Sequence, residues 1–304
     1  KEVHEDIHKH THLGGHHHDS HHHDFHVNIK AHNLGLSETD EHVFEFPQTD
    51  PLSTYLYGFA VGPFRSIEAP SDKLESKVPM TIYVRSSLFE YAEKQAPKVY
   101  SYADKGIIFY SKFFNRPYPF RKFDFVFCPE YTVGAMEYPG VITFNDRLVF
   151  REDPTPGQTS RLGEIVVHEL AHMWFGNLVT MKWWNDLWLN ESFAEFMAFL
   201  CNHNINPKLG FKTTDSWVEF QLNKFWGYEE DQMETTHPIF CQVANTSKAE
   251  SIFDGITYSK GAAVLKQLFF VLGEKRFSRN IGNYFNKYAW SNTTLDDFMA
   301  EMGQ

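Results

Sequence analysis

The segment His168-Glu169-Leu170-Ala171-His172 is where residue types and spacing in this 304-residue chain first point to chemistry. On a helix, residues four apart share a face, so His168 and His172 project side by side and can hold one metal ion through two imidazoles. Glu169 sits one position round from the first ligand, where it can reach a water on that metal without ligating the metal itself. Five residues alone also fit a pair of satisfied core histidines. A third ligand candidate separates the two readings. Glu191, in the stretch Asn190-Glu191-Ser192-Phe193-Ala194-Glu195, can complete a His₂Glu site with one position left open for water. Glu195 lies one turn further on the same face and can accept a hydrogen bond from the far nitrogen of a ligand histidine; Asn190 is assigned the same supporting role.

Those side chains need two helices to carry them. The first is expected to follow Pro154, Pro156 and Gly157, with Ser160 capping its first turn and Gly176 closing it in the left-handed conformation. The second runs from about Leu187 to Asn202. Upstream, Ser53 to Val61 is rich in β-formers and reads as a strand closed by Gly62-Pro63, and Val78 to Val84 reads as another. Leu88 to Phe114 changes period and reads as a helix interrupted at Pro97. Phe123 to Phe127 and Val141 to Phe144 read as short strands, and the chain after Arg151 is mostly helical. Strands first and helices later predict an α+β fold.

Composition removes several alternatives. The net charge is −11, and no Lys/Arg stripe of the kind nucleic-acid binding requires is present. Cys128, Cys201 and Cys241 are far apart and form no CxxC pair, so they read as buried free thiols. No apolar run approaches the roughly 18 residues of a membrane span. Thirteen of the 17 histidines lie at or before His42. That tract lacks the fixed geometry of a dedicated metal site and reads as a poorly ordered segment that chelates incidentally. The chain opens on Lys1 rather than Met and is expected to be a fragment or a processed chain. Nothing in it fixes a compartment or an oligomeric state.

On these residues the chain resembles the aminopeptidase N family of zinc metallopeptidases, within the gluzincins, which share a thermolysin-like catalytic domain. The family pattern is HExxH, eighteen residues, then Glu, and 18 residues separate His172 from Glu191 here. Trp174 to Thr180 and Trp188-Leu189-Asn190-Glu191 are also similar to the family. Gly134-Ala135-Met136-Glu137 resembles the family's GAMEN exopeptidase motif, which implies that Glu137 binds the substrate's α-amino group and that Gly134, Ala135 and Met136 line the extended peptide. A fixed carboxylate pairs with an ammonium through charge-assisted hydrogen bonds. The family's Asn after that Glu is Tyr138 here, so one neighbour that helps orient the carboxylate is replaced. Ile256-Thr257-Tyr258-Ser259-Lys260-Gly261 resembles the segment whose Tyr hydrogen-bonds the tetrahedral intermediate, which makes Tyr258 the oxyanion donor. Thr235-Thr236-His237-Pro238 also looks familial but is assigned no chemistry, and His237 reads as structural.

The resemblance implies one Zn²⁺ per chain, held by His168, His172 and Glu191. It implies Glu169 as general base and peptides with a free amino terminus as substrates. Three segments are expected: a His-rich stretch over 1–45, the end of an amino-terminal β-domain over 46–72, and a thermolysin-like catalytic domain, a small mixed sheet followed by a mostly helical half, over 73–304. Most of the β-domain, and the carboxy-terminal domains of longer members, are expected to be missing. Two other readings use the same residues: an epoxide hydrolase-like zinc hydrolase, and a non-catalytic zinc-buffering or scaffold protein built on the His-rich tract.

Overall fold

The computed structural model of the chain describes residues 28–32 and 41–304; the His-rich tract through His26 lies outside them. The chain divides into two compact units between Asp50 and Pro51. In the first unit, β1 (Asn28–His32) pairs antiparallel with β2 (Glu41–Glu45), His32 standing opposite Glu41.

The second unit begins with a departure from the sequence reading. Ser53 to Val61 is not a strand: Thr54–Leu56 form one 3₁₀ turn, and Tyr57, Phe59 and Val61 are 64%, 92% and 88% exposed. β-forming side chains make a strand only beside a partner, and these have none among the described residues. Next come β3 (Phe64–Glu68), β4 (Thr81–Arg85) and the 25-residue helix α1 (Phe89–Phe113). Pro97 stands inside α1 without breaking it. The carbonyl that loses its donor belongs to Glu93, and both residues are exposed, so water can satisfy it.

β5 (Asp124–Cys128), β6 (Ala135–Met136) and β7 (Val141–Asn145) complete a five-stranded mixed sheet in the order β3-β4-β5-β7-β6. The central β4-β5-β7 pairs are parallel, and both outer pairs are antiparallel. β5 reads Asp-Phe-Val-Phe-Cys with its first four residues buried, the near-continuous apolar run expected of a strand covered on both faces. The two-residue edge strand β6 lies where the sequence places a strand around Gly134 and Ala135.

The rest is mostly helical: α2 (Pro156–His172), β8 (Val179–Met181), α3 (Leu187–Leu209), α4 (Ser216–Asp231), α5 (Thr246–Glu250), a π-helical turn (Ile256–Lys260), α6 (Gly261–Leu272), α7 (Glu274–Tyr288), β9 (Ser291–Thr293) and α8 (Leu295–Met302). β9 pairs parallel with β8, which ties the end of the chain to the loop after α2. The class is therefore mixed α+β, as expected. α1 lies directly on α2: a methyl group at Gly163 would collide with the ring of Tyr102, and one at Gly106 would come within 2.7 Å of Leu170. No helix among the described residues is long and apolar enough to cross a membrane. The three cysteines are free; only Cys201 is buried, whereas Cys128 and Cys241 are half-buried, because both lie in loops or at a strand end rather than in the helical core.

Candidate active site

α2 starts on Thr155, not on Ser160. The Thr155 side chain accepts from Gln158 N, the Gln158 side chain accepts from Thr155 N, and Pro156 takes the first helical position, a reciprocal cap that fixes where the helix begins. Ser160 Oγ instead accepts from Thr214 N at 2.8 Å, which ties α2 to the loop before α4. The last turn of α2 carries His168, Glu169 and His172, all buried. Gly176 lies beyond the helix end with φ +118°. Its role is close approach: a Cβ there would stand 2.6 Å from Asn190 Oδ1.

α3 brings up the remaining groups. Every residue from Leu187 to Asn202 is buried, so this helix is surrounded by protein on all sides, and Glu191 and Glu195 of this helix line the site. Glu191 Oε2 lies 3.4 Å from His168 Nε2 and 3.3 Å from His172 Nε2. The two Nε2 atoms are 3.1 Å apart. Behind them, His168 Nδ1 lies 2.9 Å from Glu195 Oε2, and His172 Nδ1 lies 2.9 Å from Asn190 Oδ1.

This arrangement tests whether a metal ion fits. Each Nδ1 donates to an oxygen behind it, which leaves the Nε2 lone pairs pointing inward beside a carboxylate oxygen. Three acceptors facing one another repel unless a cation stands among them. A tetrahedral ion with bonds of about 2.0–2.1 Å needs donor atoms roughly 3.3 Å apart, and the edges of this triangle are 3.1, 3.3 and 3.4 Å. His168, His172 and Glu191 therefore form a group that could hold a metal, and Glu137, Glu169 and His172 form a second, overlapping one.

The electrostatics agree. Burial would lower the His172 imidazole, but the carboxylates of Glu137 and Glu191 outweigh it and push the group up to about 9. Burial would raise Glu191, but His172 and His168 outweigh it and hold the carboxyl at about 2. Burial raises Glu169 to about 8, with the two imidazoles pulling down and Glu137 and Glu191 pushing up. Glu137, Glu169, Glu191 and Glu195 thus crowd two imidazoles, and the cluster calls for positive charge at its centre.

Glu137 follows the edge strand β6 and is 5% exposed. Its backbone carbonyl accepts from Asn177 Nδ2 at 2.8 Å, so the loop after α2 holds it in place. Gly134, Ala135, Met136 and Glu137 line one side of a cleft of about 650 Å³, which also holds His168, Glu169, His172, Glu191, Glu195 and Tyr258. The outer edge of β6 is unpaired within its sheet and can accept an extended peptide by strand addition. The ring of Tyr138 lies against Gly58, where a Cβ would come within 2.9 Å of it. Tyr258 stacks on His168 with ring centroids 6.1 Å apart. Burial, followed by the charges of Glu191 and Glu137, raises its hydroxyl well above the ordinary range, so it remains a proton donor.

All eleven residues singled out in the sequence therefore meet in one neighbourhood. Sequence reasoning missed others. Trp226 and Phe253 line the cleft, and Trp226 stacks on Tyr258 with centroids 5.8 Å apart. Arg161 and Glu164, an ion pair three residues apart on α2, also line it; their spacing on the histidine-bearing helix was the available signal. Tyr55 packs edge-on to Trp184 at 5.3 Å, and its hydroxyl donates to Gly176 O at 3.5 Å.

Residues 100–304 match the peptidase family M1 domain. The chain is 40% identical over 271 residues to aminopeptidase N of Streptomyces lividans, covering 89% of this chain and 31% of that protein. It is 38% identical over 269 residues to the leucyl aminopeptidase of Saccharolobus solfataricus, covering 88% of this chain and 33% of that protein. It is 36% identical over 258 residues to aminopeptidase M1-D of Oryza sativa subsp. japonica, covering 84% and 28%. The chain thus spans about a third of the length of these relatives.

Proposed function

The chain belongs to peptidase family M1, and from that membership we propose that it is the catalytic part of a zinc aminopeptidase, which hydrolyses the first peptide bond of peptides with a free amino terminus. The observation that carries this reading is the inward-facing triangle of His168 Nε2, His172 Nε2 and Glu191 Oε2, with edges of 3.1 to 3.4 Å, in a cleft shared with Glu137 and Glu169. Two nitrogens and one carboxylate oxygen are the donor set of a catalytic zinc site, and one ion per chain fills it. When bound, the ion supplies Lewis acidity toward the scissile carbonyl and toward water.

The chain's own residues do the rest. Glu137 pairs with the α-ammonium and so fixes the amino end, which sets the cut after the first residue. Gly134, Ala135 and Met136 hold the peptide extended along the edge of β6. Glu169 takes a proton from the attacking water and returns it to the leaving amine. Tyr258 donates its hydroxyl proton in a hydrogen bond to the oxygen that gains negative charge. Glu195 and Asn190 keep both ligand imidazoles in the tautomer with Nε2 unprotonated.

The test is hydrolysis of one short peptide by the zinc-loaded protein, presented with a free and with an acetylated amino end. Cleavage of the free form alone is expected. Cleavage of both would make the protein an endopeptidase and remove Glu137 from its role, and cleavage of neither would end the enzymatic reading of this chain.

A further inference from the structure

The Thr235-Thr236-His237-Pro238 stretch has no part in the chemistry above, but it is wired to it. His237 sits in the irregular segment after α4. Its Nε2 lies 2.7 Å from Asp254 Oδ2, 17 residues away, and its Nδ1 lies 2.7 Å from Pro238 O. The carboxylate oxygen of Asp254 accepts, so the ring nitrogen facing it is the donor. The other carboxylate oxygen of Asp254 accepts from the backbone N–H groups of Ile256 and Thr257, both at 3.0 Å. The Asp254 carbonyl accepts the N–H of Tyr258, also at 3.0 Å. One aspartate therefore closes the start of the turn that presents Tyr258, and one histidine holds that aspartate.

The turn needs such a clamp. It is π-helical over Ile256–Lys260, a geometry that is rare and depends on outside partners. Its later part has its own anchors. Ser192 Oγ donates to Thr257 O at 2.5 Å, Ser259 Oγ to Asn223 Oδ1 at 3.2 Å, and Lys260 pairs with Asp231 at 2.6 Å. Among the described residues, Asp254 alone offers a side-chain acceptor to the N–H groups at its entrance. The His237 and Asp254 side chains are only 12% and 18% exposed, so water competes weakly for the pair.

We propose that His237 is a positioning residue: through Asp254 it fixes the entrance of the 256–260 turn and hence the place of the Tyr258 hydroxyl over the ligand triangle. This rests on the reading of Tyr258 as oxyanion donor. A misplacement of about 1 Å at such a group can cost on the order of 10²-fold in rate, so a partial loosening is expected to cost about tenfold.

The experiment compares His237→Ala and His237→Gln, each alone and combined with Tyr258→Phe, with zinc bound. His237→Ala lowers kcat about tenfold and leaves KM within about twofold, because the Tyr258 contact belongs to the transition state. His237→Gln, which retains a donor toward Asp254, recovers most of the loss. In the Tyr258→Phe background His237→Ala costs nothing further, since both changes remove one contribution. Amide exchange read by mass spectrometry speeds up about tenfold over residues 255–260 and stays unchanged in α2, which also certifies that the variants are folded. Unchanged exchange in the turn overturns the proposal, and so does a kcat loss that persists in full without the Tyr258 hydroxyl. Should no form of the protein cleave peptides, the aminopeptidase reading falls, and the exchange measurement still decides the clamp.

Discussion

On one side of the cleft, α3 is buried all the way round from Leu187 to Asn202, whereas on the other, α4 leaves Val218, Leu222, Phe225 and Trp226 between 39% and 57% exposed. The first side is held by close-packed apolar contact, with glycines where helices touch. The second is held by polar links: His237 to Asp254, Ser259 to Asn223, Lys260 to Asp231. The difference follows the chemistry each side performs. Ligands to one ion must keep their separations to a few tenths of an ångström, and dense packing does this because cores are stiff. Tyr258, the donor to an oxygen whose charge changes during reaction, stands instead on a wall held by a few polar links, so its place depends on those links one by one.

The largest expected effect breaks the chemistry of the packed side without disturbing its shape. Glu169→Gln is isosteric and is expected to lower turnover by about 10²–10⁴ while zinc stays bound at one per chain, measured by kinetics alongside metal analysis. Near wild-type turnover would remove Glu169 as the base; lost zinc would show that it ligates instead.

A smaller effect is expected one layer out on the same side. Glu195 holds His168 Nδ1 at 2.9 Å. Glu195→Gln offers an amide in place of the carboxylate and is expected to weaken zinc binding about 10–100-fold, measured by competition with a chromogenic chelator. If affinity is unchanged, packing alone orients His168 and the stiffness of this wall is sufficient without its polar support.

The same contrast explains what could be read from the sequence. The packed side was legible because helical spacing alone puts His168 and His172 on one face, and Glu191, separated from His172 by 18 residues, falls on the next helix candidate. α3, buried on every face, carries no helical stripe and is read from its unbroken apolar content instead. The other side is legible in the sequence only through the stretches around His237 and Tyr258 that resemble the family. Asp254 acts through backbone N–H groups that any sequence possesses, and the 256–260 turn follows no period. Trp226 and Phe253 read as ordinary apolar residues. Propensity misled where nothing paired with the chain, as in Ser53 to Val61, and where solvent forgave a broken rule, as at Pro97. Tyr55 carries no signal of its own in the sequence, because a lone tyrosine in an irregular segment follows no period, yet its hydroxyl reaches Gly176.

The smallest effect sharpens the contrast within the polar wall itself. Lys260 and Asp231 meet at 2.6 Å, but their side chains are 38% and 43% exposed, whereas His237 and Asp254 are shielded. Exposed ion pairs contribute little because water and salt compete for both partners. Lys260→Met keeps the stem of the side chain and removes the charge. It is expected to lower kcat less than about threefold at low ionic strength, and that loss is expected to vanish near 0.5 M NaCl, where the Debye length falls to a few ångströms. The His237→Ala loss, by comparison, should persist at the same salt, since its partners are largely out of water. Parallel kinetics of the two variants across a salt series measure this directly. If both losses fade together, the two links are equivalent surface contacts and the turn has no privileged clamp. If only the Lys260 loss fades, the entrance of the turn, rather than its end, sets where Tyr258 stands.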